Sequence, residues 1–200
     1  MLNSTFITVC AAATLMLVSD VNARESWEKH GVENGIVVFT ATEAGSNVPS
    51  VKAVAVVNAP TEEVWQYITE SMQVDGLKMR RNLGSCGDGC DYVYVRMGNW
   101  MITDRHYVAK VKWTRELVDG YPKYVRVWNK TADKKPLGGN AIVVSSVRGS
   151  WTLEPIQNGK KTRITYINHL DLGGNVPPSI FSKGFVSNAY DIIKAIKKNA

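Results

Sequence analysis

The chain has 200 residues, of which 44% are hydrophobic and 21% charged. That suffices for one domain with its own core, is short for two, and excludes a disordered, collagen-like or coiled-coil chain. The formal net charge of +6 is scattered, with no basic stripe interleaved with aromatics. It therefore speaks against nucleic acid, and for contact with anionic surfaces such as lipid headgroups or simply a soluble basic surface.

Residues 1–23 stand apart from the rest. Phe6 to Val18 is apolar and uncharged, and falls short of the roughly 20 residues that a membrane span needs. Val21-Asn22-Ala23 offers a small-residue exit, and Arg24 opens a polar chain that holds every Lys and Arg. The pattern predicts a secretory signal peptide over 1–23 and one domain over 24–200, periplasmic or secreted. A membrane anchor or an internal apolar strand is the alternative, since no Lys or Arg precedes the apolar run. Cys10 follows Val9, where a lipoprotein signal would need a small residue.

Beyond the leader, Ser26 to His30 reads as a short helix anchored by Trp27. Gly35 to Thr40 and Val51 to Val57 are β-branched strands joined by a short polar loop, which predicts a hairpin. Asn58-Ala59-Pro60-Thr61-Glu62-Glu63-Val64-Trp65 places a proline and two acids where a helix begins. Ser71 to Leu83 has no clear period. Cys86-Gly87-Asp88-Gly89-Cys90 is a tight turn. The even cysteine count left after export points to a Cys86–Cys90 disulfide, with free thiols as the alternative and no histidine nearby to complete a metal site.

Strands follow over Tyr92–Met97, His106–Thr114 and Lys123–Asn129, then a polar loop over Lys130–Asn140, then strands over Ala141–Leu153 and Thr162–Leu170. A glycine corner leads to a helix from Pro178. On it Phe181, Phe185, Ala189, Ile192 and Ile196 recur three or four residues apart, with lysines turned elsewhere. A long helix appended to an antiparallel sheet predicts an α+β fold with an internal apolar cavity, the usual housing for an oily ligand.

Several of these stretches, in this order, resemble the START family of StAR-related lipid-transfer domains. Ala59 to Trp65 is similar to its first helix, and Trp100 to Val108, with Asp104-Arg105, to an Arg-Asp strand entry. Arg148, Trp151, Leu153 and Pro155 are similar to its late strands, and Asp171 to Pro177 to the corner before its C-terminal helix. The resemblance implies a helix-grip fold, a curved antiparallel sheet wrapped around the C-terminal helix. It further implies a lipid or sterol-like ligand in the space between, with entry gated by about Lys130 to Asn140. Two departures stand out. Arg105 is preceded by Asp104 and followed by His106, and the neighbouring-strand position that carries an acid in sterol-binding members aligns with Met97. An unpaired buried guanidinium is costly, so Arg105 has another partner, an anionic headgroup, or water.

The candidate ligand-binding residues are Arg105, Met97, Trp113, Trp128, Trp151, His169, Phe181 and Phe185. For each aromatic, core packing is the competing role. His169 shares a strand face with Ile167 and Asp171 and is either a cavity contact or a histidine satisfied at the sheet edge. His30 and His106 lack any constellation of metal or triad type. The glycine pairs at 138–139 and 173–174 lack the spacing of phosphate loops, and Asn129-Lys130-Thr131 is a glycosylation sequon. No cofactor motif is present. The expected function is that of a monomeric exported carrier of a hydrophobic ligand, in transient contact with membranes and not an enzyme. The alternatives are a cyclase of the aromatic-polyketide type, with Arg105, His169 and Asp171 as its available groups, or a ligand-sensing module.

Overall fold

The computed structural model describes residues 26–72, 76–99, 102–174 and 178–200. The expected leader over 1–23 lies outside the described residues. The first hairpin is set by Asn34-Gly35, whose φ angles of 51° and 73° are both in the left-handed region, as a two-residue primed turn requires. Strands β1 (Glu28–Glu33) and β2 (Ile36–Ala41) pair antiparallel across it. The helix expected over Ser26–His30 is thus corrected to extended chain. The Asn-Gly turn carries the segment back along β2 and gives its backbone a ladder partner, while Lys52 Nζ sits 4.5 Å from the centroid of the Trp27 ring.

β3 (Ser50–Val57) pairs with β2 as expected. Helix α1 (Thr61–Gln66) begins after Pro60 and ends in a π-helical turn over Tyr67–Ser71, where the Met72 N–H reaches the Tyr67 carbonyl at 2.8 Å. The Thr61 hydroxyl donates to the Pro122 carbonyl at 2.6 Å, and Thr162 donates to the Ala59 carbonyl at 2.7 Å, fixing where the helix starts. The ambiguous stretch before the cysteines becomes a polar strand, β4 (Leu77–Gly87). A Cys86–Cys90 disulfide, with Cα atoms 5.1 Å apart, closes its turn into β5 (Cys90–Asn99). Then come β6 (Ile102–Val118) and β7 (Tyr121–Lys130). The strand expected over 141–153 is split. Ile142–Val143 forms β8, parallel to β6 and exposed, and β9 (Ser146–Ile156) restarts in antiparallel pairing with β7. β10 (Lys161–Asp171) and α2 (Pro178–Asn199) complete the chain.

The sheet order is β1-β2-β3-β10-β9-β7-β6-β5-β4, with β8 alongside β6. Cross-strand register aligns Val38, Ala53, Tyr166 and Trp151 on one face. Both helices pack on that inner face: Val64 of α1, Ile68 of its π-helical turn and Val186, Ala189, Ile192, Ile193 and Ile196 of α2 share one buried cluster with those strand residues. The spacing read on α2 therefore marks its buried stripe from Ala189 onward. A second cluster gathers Val93, Tyr107, Ala109, Val111, Val144, Val147 and Leu170, and Trp128 touches both. No helix among the described residues is long and apolar enough to cross a membrane.

Candidate ligand-binding cavity

Strand parity decides which side chains can meet. On β6, Arg105, Tyr107, Ala109, Val111 and Trp113 alternate onto the inner face, opposite Met97, Val95, Val93 and Asp91 on β5, and Trp113 lies opposite Arg126 on β7. Above this floor sits α1, held by its tryptophan. Trp65 stacks on Tyr124 with centroids 4.7 Å apart and leans on Trp113 at 6.0 Å. Tyr124 in turn donates its hydroxyl to Glu62 and accepts a hydrogen bond from Arg115 Nε at 3.1 Å.

Between helix and floor lies a partly open recess of about 560 Å³, lined by Trp65, Thr69, Arg80, Asn82, Asp91, Val93, Val111, Trp113 and Arg126. Val93 and Val111 also belong to the second buried cluster, so the recess continues into apolar floor. Arg126 is half-buried, and burial, helped by the like charge of Arg80 and opposed by Asp91, pushes its guanidinium down to about 10. It remains charged at neutral pH. Deeper in, burial raises the Tyr107 hydroxyl to about 12 and the Tyr166 hydroxyl higher still, so both are neutral donors.

The residues expected at a site from sequence are placed unevenly. Trp113, 42% exposed, stands in the wall of the recess. Trp128 lies on the inner face between the two clusters, and Trp151 is buried and stacked on Tyr166 at 4.3 Å. Met97 does face Arg105 across the β5–β6 ladder. Arg105 itself is 4% exposed, so it does not point into bulk solvent. Its guanidinium donates to the Thr103 carbonyl, and among the described residues its Nε has no partner and no acid pairs with it. Asp104 cannot rebuild the pair. It projects to the outer face, where it binds Lys78 at 2.6 Å and Arg96 at 2.8 Å, and the Lys78 hydrogen bond foremost holds its carboxyl below the usual range.

His169 is not a cavity contact. By register it is opposite Arg148, one residue out of phase with Leu170 and Asn168, and so on the outer face. It is nonetheless 2% exposed, because the segment from Glu43 to Ser50 covers that end of the sheet. Glu43 accepts from Arg148 and from Ser50, both at 2.6 Å, and lies 4.0 Å from His169 Nδ1, while Ser146 Oγ is 2.9 Å from His169 Nε2. Desolvation lowers the imidazole pKa, with Arg148 adding to it and Glu43, Asp171 and the Pro49 carbonyl opposing. Phe181 and Phe185 lie outside the described side chains. The residues that sequence reasoning missed are Thr69, Arg80, Asn82, Asp91 and Arg126. Stepping in twos from Trp113 and crossing to its ladder neighbours is the signal that could have found the strand members. Among the described residues no group of three or more His, Cys, Asp or Glu is placed to hold a metal ion.

A large, mostly antiparallel sheet with α1 packed on β7 and β9 and α2 on β2 and β3 has the START-like fold. The StAR-related lipid transfer protein of Xanthomonas axonopodis superposes with a TM-score of 0.71 at 20% identity, over 86% of this chain and 97% of that one. Human StAR-related lipid transfer protein 5 gives 0.75 at 17% identity, over 88% of each chain. The lipid transfer and protein localization domain of human StarD13 gives 0.71 at 19%, over 88% and 89%. No family model and no curated protein matches the sequence.

Proposed function

We propose that the chain binds one hydrophobic or amphiphilic molecule, a lipid or sterol-like ligand, on the inner face of its sheet and carries it as an exported soluble monomer without turning it over. The observation that carries this reading is the recess under α1. Its volume of about 560 Å³ falls within the roughly 300–1,000 Å³ of small-molecule sites, and its floor runs on as buried apolar side chains. In this reading the sheet grips α2, which closes the space from one side, and the polar segment Lys130–Asn140 is the gate. Each 100 Å² of tail removed from water contributes about 2.5 kcal/mol before ordering costs, so even a partly enclosed chain is held usefully. Solved structures that superpose on the chain are named for lipid transfer, which fits. A cyclase would need an acid–base pair on the inner face, whereas His169 lies on the outer one.

The test is lipid exchange between vesicles. Donor vesicles carry a self-quenched fluorescent phospholipid, acceptors are in excess, and the rate is followed as residues 24–200 are added. Acceleration in proportion to protein is expected. Binding of the lipid without acceleration would replace transfer by storage or sensing, and absence of binding would remove the reading.

A further inference from the structure

Two arginines in the recess share a single acid, Asp91, and form no ion pair with it, and we propose that Arg126 and Arg80 form a headgroup site that selects an amphiphile with a negatively charged polar end. The chemistry is that of a single carboxylate or phosphate on an apolar tail. The inference rests on the ligand-binding reading above and names the class of ligand for that same cavity.

Several acids among the described residues are committed to other cations. Lys78 and Arg96 share Asp104, Lys110 approaches Asp133 at 3.7 Å, Lys123 holds Glu116 at 2.8 Å, and Arg148 holds Glu43. Arg115 donates to Tyr124. By contrast neither Arg80 nor Arg126 makes a hydrogen bond or ion pair among the described residues, although both line one recess. Asp91 faces the same space and is the one acid in its lining, without closing an ion pair to either arginine. Two cations therefore confront one anion. Arg80 stands exposed on the outermost strand, at the rim, and Arg126 is half-buried in the wall.

Keeping a half-buried guanidinium unpaired beside a like charge is unfavourable, and an entering anion relieves both terms. The planar fork of arginine suits the two oxygens of a carboxylate or phosphate. The tail side is also in place. Trp65 and Trp113 flank the cations, and Val93 and Val111 lead on to Trp128 and the second apolar cluster. This site is separate from Arg105, which lies six residues before Val111 on β6, roughly 20 Å away at about 3.3 Å per residue.

The experiment compares three probes of similar tail: oleate, 1-oleoyl lysophosphatidate and oleyl alcohol. Dissociation constants are read from the change in intrinsic tryptophan fluorescence of residues 24–200, to which Trp65 and Trp113 in the recess wall contribute. At least one anionic probe is expected to bind roughly tenfold tighter than the alcohol, and the tighter of the two identifies the headgroup. Arg126→Gln should reduce that preference to within about twofold while alcohol binding persists, and Arg126→Lys should fall between, since it keeps charge but loses the fork. Should Arg126→Gln fail to fold by near-ultraviolet circular dichroism, Arg80→Gln at the exposed rim supplies the same comparison. Asp91→Asn removes the competing anion and should tighten the anionic probe alone, an effect that a purely structural role for these arginines would not produce. Equal affinity for all three probes, or a preference that survives loss of either arginine, overturns the headgroup site and leaves the ligand-binding reading standing. Failure of every probe to bind overturns both.

Discussion

Gly149 shows how closely the inner face is packed around Trp128. A Cβ at this position would come within 2.2 Å of Trp128 Cζ2 and 2.6 Å of the Ile167 carbonyl oxygen. The ring cannot yield alone, because the second obstacle is backbone. Gly149→Ala should therefore cost about 1–3 kcal/mol, measured by urea unfolding, and should shift the near-ultraviolet signal of the tryptophans. His169 gives a second prediction at this scale. Its folded pKa is depressed below the ordinary 6.5, chiefly by desolvation. A depressed histidine contributes stability that is fully present above the unfolded pKa and lost as pH falls through the folded value. Melting temperature should thus decline between about pH 7.5 and about pH 5.5, a window above the carboxylate range. His169→Gln should flatten that slope. Equal stability at the two pH values in the parent chain would contradict the assignment.

Helix α2 and the cysteine hairpin carry the predictions at the scale of elements. Ile193 is fully buried in the cluster that joins α2 to the sheet. Ile193→Ala should cost about 2–5 kcal/mol, read from denaturant midpoints at unchanged slope. The Cys86–Cys90 link spans four residues of sequence and clips a turn whose strands are already laddered. Replacing both cysteines by serine should therefore cost no more than about 2 kcal/mol. The elements legible in the sequence were those with one buried face. On β9 the buried residues Val147, Gly149, Trp151 and Leu153 alternate with less buried ones, and α2 repeats its apolar stripe. The start of β1 read as a helix and β4 showed no period because they are edge strands, polar on most positions, and an edge strand buries too little to impose a period. The Asn34-Gly35 turn was a readable signal for β1.

For the whole molecule, order along the chain was informative and partnership was not. That Met97 opposes Arg105 was implied by the family resemblance, yet the outer placement of His169 depends on parity set by a distant strand, and its burial on a loop folded back over that face. Arg80 and Arg126 could not be picked out of 24 basic residues, because an arginine is recognisable as unpaired only once the acids have been placed. The formal charge of +6 also belongs to this scale. Association with vesicles rich in anionic lipid should weaken several-fold as salt rises from about 0.05 M to about 0.5 M, measured by co-sedimentation.

In the proposed function the recess beneath α1 receives the hydrophobic ligand. The most direct test of this is native mass spectrometry of residues 24–200 beside Thr69→Trp, each incubated with the same lipid extract. Thr69 lines the recess from the helix side and is only partly buried, so the larger ring fills the space without opening the sheet core. The parent chain should carry one adduct of lipid mass and the variant should lose it at unchanged fold. An adduct that survives the filled recess, or none on the parent chain, would contradict the account.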